Sequence, residues 1–171
     1  EAADFPARPV RIVVAFPPGQ AIDVLARLAG QRLNEKTGQQ WVVDNRPGAS
    51  GIIGTEIGAR AQPDGYTLTM CSIGTFAGNP NLFPKLSYHP VRDFDAVSWV
   101  ATVPLMLVAA SAFPPNSLRE LIEYVKARPR QVSYATTGSG NTSHLLMELF
   151  RGSAGLELTQ VKDRKSTRLN S

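Results

Sequence analysis

Runs of β-branched and apolar residues alternate along the chain with segments whose apolar residues recur at helical spacing. The runs predict strands, since strands buried on both faces are nearly continuously hydrophobic. The predicted strands are residues 11–15, 40–43, 66–71, 94–102, 105–109, 132–135 and 156–161. The predicted helices are residues 24–37, 52–61, 118–127 and 143–151. Strand, loop and helix recur three times within the first 80 or so residues, which predicts an α/β fold with a parallel sheet.

Turn and cap residues mark the ends of several predicted elements. The Pro17-Pro18-Gly19 turn stops the first strand, and Asp23 is predicted as the N-cap of the first helix. Ser117 and Glu120 have the spacing of a capping box, in which each residue satisfies a backbone N–H of the other. Residues 79–93 contain several prolines and are predicted as a long loop.

Four loops at the carboxyl ends of predicted strands form the candidate binding site, because ligands of open parallel sheets bind there. They are residues 16–23, 45–51, 72–75 and 136–142, and all are rich in Gly, Ser, Thr or Asn. Their N–H and hydroxyl donors, together with helix N-termini, favour an anion. Only Arg46 brings a positive charge, so the loops predict a carboxylate held by neutral dipoles rather than a phosphate. The candidate ligand-binding residues are Pro17, Pro18, Gly19, Gln20, Asp23, Ser50, Ser72, Thr75, Thr136, Gly138, Ser139, Asn141 and Thr142.

Each candidate loop also has a purely structural interpretation. Residues 17–19 can simply turn the chain, and Asp23 can cap a helix, with or without touching a ligand. The glycines of residues 48–51 can serve loop geometry, and Thr75 can begin the following turn. Residues 138–142 are the most site-like, although an ordinary helix entry also uses Ser, Asn and Thr.

The sequence contains no motif for catalysis, metal binding or cofactor binding. Residues 48–54 read GxxGxxG rather than the GxGxxG of dinucleotide sites. Ser143 and His144 are neighbours on a predicted helix and point in different directions, and His89 is too distant to give metal-ligand spacing. Cys71, the only cysteine, ends an apolar strand and is predicted as a small core residue. A single cysteine also excludes an internal disulfide.

Composition, charge and the length of the apolar runs argue against a disordered, a nucleic-acid-binding and a membrane-spanning protein. With 43% hydrophobic and 19% charged residues, the chain can form a packed core. The net charge is +4, and residues 163–171 carry +2 of it, so the nearly neutral remainder gives no case for nucleic acid. The longest apolar run, residues 103–112, contains Pro104 and is shorter than the roughly 20 residues of a membrane helix.

Several short motifs between residues 4 and 161 match those of one known family. They are Pro9-Val-Arg-Ile-Val-Val-Ala-Phe-Pro-Pro-Gly19 with Asp23, Val43-Asp-Asn-Arg-Pro-Gly48, Gly51 and Gly54, Pro63-Asp-Gly-Tyr-Thr67, Asn79-Pro80, Leu82-Phe-Pro-Lys-Leu86, Tyr88, Pro90, Arg92-Asp93-Phe94 and residues 138–144. In these motifs the sequence resembles the tripartite tricarboxylate transporter substrate-binding proteins, also called Bug receptors.

The resemblance implies a two-lobed periplasmic receptor that closes on its ligand like a Venus flytrap. Such receptors are not enzymes, use no cofactor, are expected to be monomers, and deliver di- or tricarboxylic, amino or aromatic acids to membrane permease subunits. By motif, residues 17–19 and Asp23 would contact the ligand, often through water, while residues 72–75 and 136–142 would supply donors to a carboxylate. The family usually has Gly-Gly at Gly19-Gln20, so the Gln20 side chain would narrow or re-specify the pocket. A solute sensor for a signalling partner, or an α/β enzyme, remains the alternative.

The end of the sequence departs from the family. We expect a first lobe at residues 1–103, the start of a second at 104–162, and a non-native tail at 163–171. The family continues Pro-Tyr-Lys-Gly and much further after Val161, whereas these nine residues match the translation of a common sequencing-adapter sequence. The second lobe and its return to the first would then be incomplete, and the fragment poorly soluble and weak in ligand binding. The start at Glu1 is expected to reflect a signal peptide that is removed or missing.

Overall fold

The computed structural model describes residues 5–136 and 141–161. Its contacts divide the chain into two compact units, Glu1–Val103 and Pro104–Ser171. Among the described residues, no helix combines the length and the apolar character needed to cross a membrane.

The first unit is a three-stranded parallel sheet with helices between its strands. Its elements are β1 (Val10–Val14), α1 (Ala21–Thr37), β2 (Trp41–Asn45), a 3₁₀ turn (Ala49–Gly51), α2 (Ile52–Ala59), β3 (Thr67–Met70), a π-helical turn (Gly74–Gly78) and α3 (Asn79–Leu82). The strand order is β2-β1-β3, with Val10 opposite Trp41 and Arg11 opposite Thr67. The predicted parallel α/β arrangement is therefore confirmed for this unit.

Strand β1 is the most deeply buried element, because it has a neighbour on each side. Val10, Val13 and Val14 are fully buried, and Ile12 is 3% exposed. Ile12 and Val14 form a cluster with Ala26 of α1, which closes one face of the sheet. Burying one such side chain contributes about 1.5–3 kcal/mol. This strand therefore anchors the loops that follow the sheet.

Helix α1 begins earlier than the sequence predicts. Its N-cap is Gln20, and Asp23 lies inside the first turn rather than at the cap, so the N-cap prediction was wrong. The physical reason is that the Asp23 carboxylate accepts the Gly19 N–H and so turns toward the preceding loop. The helix ends at Gly38, whose left-handed conformation lets its N–H donate to the Asn34 carbonyl.

Among its described residues, the second unit contains two helices and a pair of short parallel strands. Its elements are α4 (Leu118–Lys126), β4 (Ser133–Ala135), α5 (Thr142–Ala154) and β5 (Thr159–Val161), with β4 paired to β5. Val125, Leu156 and Leu158 form its buried cluster. At the start of α4 the Ser117 hydroxyl accepts the Glu120 N–H, as the capping box predicts. The Glu120 carboxylate, however, accepts the N–H of Asn116 rather than that of Ser117.

Two predicted strands are absent from the described structure. Residues 94–102 and 105–109 form neither helix nor strand and are almost entirely exposed, so these predictions were wrong. A strand needs a neighbour for its backbone groups, and the described residues offer these segments none. The predicted loop at 79–93 begins with the short helix α3 instead. The strands at 132–135 and 156–161 are confirmed, but they are shorter than predicted.

Candidate functional site

The candidate site of the first unit is one edge of its sheet, where β1, β2 and β3 all end. Since the strands are parallel, the loops that follow them lie along the same edge. This brings together the predicted residues Pro17, Pro18, Gly19, Gln20, Asp23, Ser50, Ser72 and Thr75. In the second unit, Thr136 follows β4, Asn141 is the N-cap of α5 and Thr142 is its first residue. Gly138 and Ser139 lie outside the described residues.

The loop after β1 presents residues 17–20 to solvent at the N-terminus of α1. All four are exposed, and Gly19 adopts a left-handed φ of 85°. The helix spans 17 residues and begins without a side-chain cap. Its N-terminal end therefore carries a positive partial charge that favours an anion at this edge.

Buried Asp23 holds this loop in place through hydrogen bonds. The residue is 2% exposed, and its carboxylate accepts the Gly19 N–H at 2.8 Å and the Asn45 amide N–H at 2.9 Å. The Arg27 guanidinium adds two contacts, from Nε at 3.1 Å and from Nη2 at 3.0 Å. The hydrogen bonds from Arg27, the Gly19 N–H and Asn45 lower the pKa of Asp23 to about 2. The carboxylate is thus ionised and bonded to three groups of the protein itself. A direct ligand contact by Asp23 stays a prediction.

Asn45 joins the ends of β1 and β2, and the sequence alone did not single it out. Its amide nitrogen donates to the Phe16 carbonyl at 3.1 Å as well as to Asp23. Its amide oxygen accepts Nη2 of Arg27 at 3.0 Å. The i,i+4 spacing of Asp23 and Arg27 on a helix was the available signal for the ion pair. Nothing in the sequence predicts that Asn45, which comes from a different strand, is the third partner.

The loop after β2 is a left-handed turn. Ala49 and Ser50 have φ values of 46° and 55°, which cost free energy for residues with a side chain. Two hydrogen bonds hold the backbone of this turn. The Thr55 hydroxyl donates to the Gly51 carbonyl at 2.8 Å, and the Asn79 amide donates to the Ser50 carbonyl at 3.1 Å. The turn therefore persists because the surrounding structure fixes it.

The loop after β3 is closed by Ser72 and Thr75. The Thr75 hydroxyl donates to the Ser72 carbonyl at 3.0 Å and accepts the Ser72 N–H at 3.1 Å. Thr75 is completely buried and its side chain shapes the turn, so a direct ligand contact by Thr75 stays a prediction. Tyr88 donates its hydroxyl to the Thr75 carbonyl and accepts Nδ2 of Asn79 at 3.3 Å. Asn79 and Tyr88, which appeared in the sequence only as family motifs, thus connect the second and third loops.

The described residues do not assemble metal or nucleophile chemistry at this edge. No group of three or more His, Cys, Asp or Glu side chains within 5–136 and 141–161 could hold a metal ion. Burial raises the pKa of the Cys71 thiol to about 12, so it remains protonated. The loops provide N–H dipoles and hydroxyl groups, which suit binding rather than bond cleavage.

A groove at the opposite edge of the sheet is a poor candidate for an anion site. Its volume is about 530 Å³, and Arg8, Arg60 and Tyr66 are among its lining residues. Arg8 pairs with Asp64, and Arg60 pairs with a glutamate of its own helix. The arginines are therefore already neutralised by neighbouring carboxylates.

An α/β unit whose strands end in loops rich in N–H dipoles is typical of folds that bind small molecules. Comparison with known proteins identifies the family. The family described as "Tripartite tricarboxylate transporter family receptor" matches residues 25–167. The chain belongs to this family, which comprises solute receptors rather than enzymes. Protein BugT of Bordetella pertussis is 40% identical over 158 residues, which are 92% of this chain and 48% of BugT.

Solved structures show the same relationship. The protein described as "R. palustris Rpa4515 with adipate" is 39% identical with a TM-score of 0.85, over 94% of this chain and 54% of that one. MatC from Rhodopseudomonas palustris with bound malate is 34% identical with a TM-score of 0.80, over 93% and 54%. The periplasmic binding protein BugD is 34% identical with a TM-score of 0.73, over 97% and 56%. The predicted periplasmic-binding-protein fold is confirmed. The chain spans about half the length of these relatives.

Proposed function

We propose that this chain is part of a periplasmic receptor that binds a small carboxylate between two lobes and delivers it to a tripartite tricarboxylate-type permease. The observation that carries the proposal is the exposed loop of residues 17–20 at the N-terminus of α1, held by buried Asp23. Neutral N–H groups at a helix N-terminus suit a carboxylate, because they supply directed donors without a full charge. The adipate and malate in two solved relatives support the same ligand chemistry.

In this proposal the lobes are residues 1–103 and 104–162, and residues 163–171 are not part of the receptor. The loops at residues 17–20, 50, 72–75 and 136–142 would contact the ligand, with Gln20 reaching into the pocket. Long-read sequencing across the Val161 codon tests the boundary. A frame that continues past Val161 in the manner of the family supports the proposal, and a genomic stop after Ser171 contradicts it.

The ligand class is tested by titrating the isotope-labelled chain with adipate and recording backbone amide shifts. We expect saturable shifts in the millimolar range at Gly19, Gln20 and Ser72, because one lobe supplies only part of the contacts. Adipamide, which has the same length without charge, serves as the control ligand, and residues 31–36 at the far end of α1 serve as the internal control. Equal shifts with adipamide, or no shifts at the loops, would refute a carboxylate site here.

A further inference from the structure

Two irregular turns of the first unit lie side by side at the edge where its strands end. Residues 48–51 have four consecutive positive φ values, 132°, 46°, 55° and 84°, and only the first and last of them are glycines. The segment Gly74–Gly78 forms a π-helical turn. A Cβ added to Gly51 would lie 2.7 Å from Cγ2 of Thr75, so the two turns are in close contact. Backbone of this kind costs free energy and occurs frequently at functional sites.

Asn79 joins these two turns through its backbone and its side chain. Its backbone N–H donates to the Gly74 carbonyl and closes the π-helical turn. Its side-chain amide donates to the Ser50 carbonyl at 3.1 Å, 29 positions earlier in the chain, and to the Tyr88 hydroxyl at 3.3 Å. Tyr88 in turn donates to the Thr75 carbonyl. One residue therefore holds the backbone of both turns.

The side chain of Asn79 occupies its position at a cost to stability. Asn79 is completely buried, and within the described part of the chain no donor reaches its Oδ1 atom. The Ser50 carbonyl can only accept, so the amide nitrogen must face it and Oδ1 must point elsewhere. Burying an amide oxygen without a donor costs free energy, which an apolar side chain would avoid. The reason for an amide here is therefore the pair of hydrogen bonds that it donates.

We propose that Asn79 is a positioning residue for the carboxylate site and couples the loop after β2 to the loop after β3. This inference rests on the proposed function, in which residues 50 and 72–75 contact the ligand. Ala49 and Ser50 would otherwise relax from the left-handed region, because residues with a side chain favour negative φ. The Asn79 bond to the Ser50 carbonyl opposes that relaxation. Loops that are already ordered lose less entropy on binding, which raises affinity without a new ligand contact.

Amide hydrogen exchange of the ligand-free chain tests the coupling between the turns. The Gly51 N–H donates to the Gly48 carbonyl at 2.9 Å, so its exchange rate reports whether the left-handed turn is closed. In Asn79→Leu, which lacks both side-chain donors, we expect Gly51 to exchange at least about fivefold faster, while the amides of β1 change less. Asn81→Ala is the matched control. The Asn81 amide also donates to a backbone carbonyl, that of Ala77 at 2.7 Å, but it does not bridge to the loop after β2.

Tyr88→Phe is a second variant, which decides the question if Asn79→Leu does not fold. It keeps the aromatic ring and removes the hydroxyl that joins Asn79 to the Thr75 carbonyl, so Gly51 should again exchange faster than in the unaltered chain. An unchanged Gly51 rate, or equal acceleration by Asn79→Leu and Asn81→Ala, would overturn the proposal. Equal acceleration at Gly51 and throughout β1 would also overturn it, because Asn79 would then serve global stability alone.

Adipate affinity then tests whether the turn matters for binding. We expect Asn79→Leu to raise the dissociation constant for adipate several-fold. Adding Ala49→Gly should recover part of the loss, since Ala49 is exposed and glycine adopts positive φ without strain. Adding Ala49→Val should recover none, because a β-branched residue tolerates a φ of 46° poorly. Unchanged adipate affinity in Asn79→Leu would overturn this inference alone, whereas absence of binding by the unaltered chain would overturn the proposed function.

Discussion

Gly54 sets how closely helix α2 can approach β1, and replacing it with alanine tests the packing of the candidate site. A Cβ at Gly54 would lie 2.6 Å from the Ala15 Cα, 2.7 Å from the Arg46 carbonyl oxygen and 2.9 Å from the Ala15 Cβ. Two of these atoms belong to the backbone, so rotation of a side chain cannot relieve the contacts. The helix would have to move away from the end of β1, where the first two loops meet.

The magnitude follows from two opposing effects. Alanine is the better helix former by about 1 kcal/mol, which favours the variant. Overpacking a close-packed site costs typically about 1–3 kcal/mol and occasionally more. With three contacts below 3.0 Å, we place the cost at the upper end and expect Gly54→Ala to lower the free energy of unfolding by about 2 kcal/mol.

The assay is urea unfolding followed by Trp41 emission in a Trp99→Phe background, so that the signal reports on β2 of the first unit. A loss of about 2 kcal/mol should lower the urea midpoint by roughly 1 M. Gly38→Ala is the matched control. Gly38 has a φ of 68°, and a Cβ added there would meet no atom within 4 Å, so only backbone strain of about 1 kcal/mol applies. If Gly54→Ala is less destabilising than Gly38→Ala, the close approach of α2 to β1 is not as described.

Three further predictions concern other buried groups of the first unit. Since the pKa of Asp23 is lowered to about 2 from 3.8, its contribution to stability is complete above pH 4 and is lost as the pH falls towards 2. Asp23→Asn should flatten that part of the stability profile, and an unchanged profile would contradict the network. Tyr88→Phe removes the hydroxyl bound to Thr75 and should cost about 1–3 kcal/mol in thermal unfolding, whereas Tyr66→Phe, which loses an exposed bond, should cost less. Cys71, with its pKa raised to about 12, should react with a thiol reagent at pH 8 on the order of 100-fold more slowly in native protein than in urea; equal rates would refute its burial.

Local sequence signals predicted the elements but not the contacts that hold the site. The β-branched run at residues 11–15 and the helical spacing after Asp23 were sufficient for β1 and α1, because each pattern is read within one segment. The partners of Asp23, by contrast, include Asn45 from another strand, and those of Ser50 include Asn79 from another helix. Such long-range pairs depend on the three-dimensional arrangement of the loops and have no local signature.

The failed strand predictions at residues 94–102 and 105–109 have a different cause. Their composition favours strands, but strand formation requires a neighbouring backbone that the described residues do not provide. The same reasoning explains why β1, flanked on both sides, matches its prediction within one residue at each end.

Hydrogen bonds within the first unit hold the loops that follow its strands. The hydrogen bonds described above for the loops after β1, β2 and β3 join residues between positions 16 and 88. The first unit should therefore present preorganised loops, so weak carboxylate binding by this chain would reflect too few contacts to the ligand rather than loose loops.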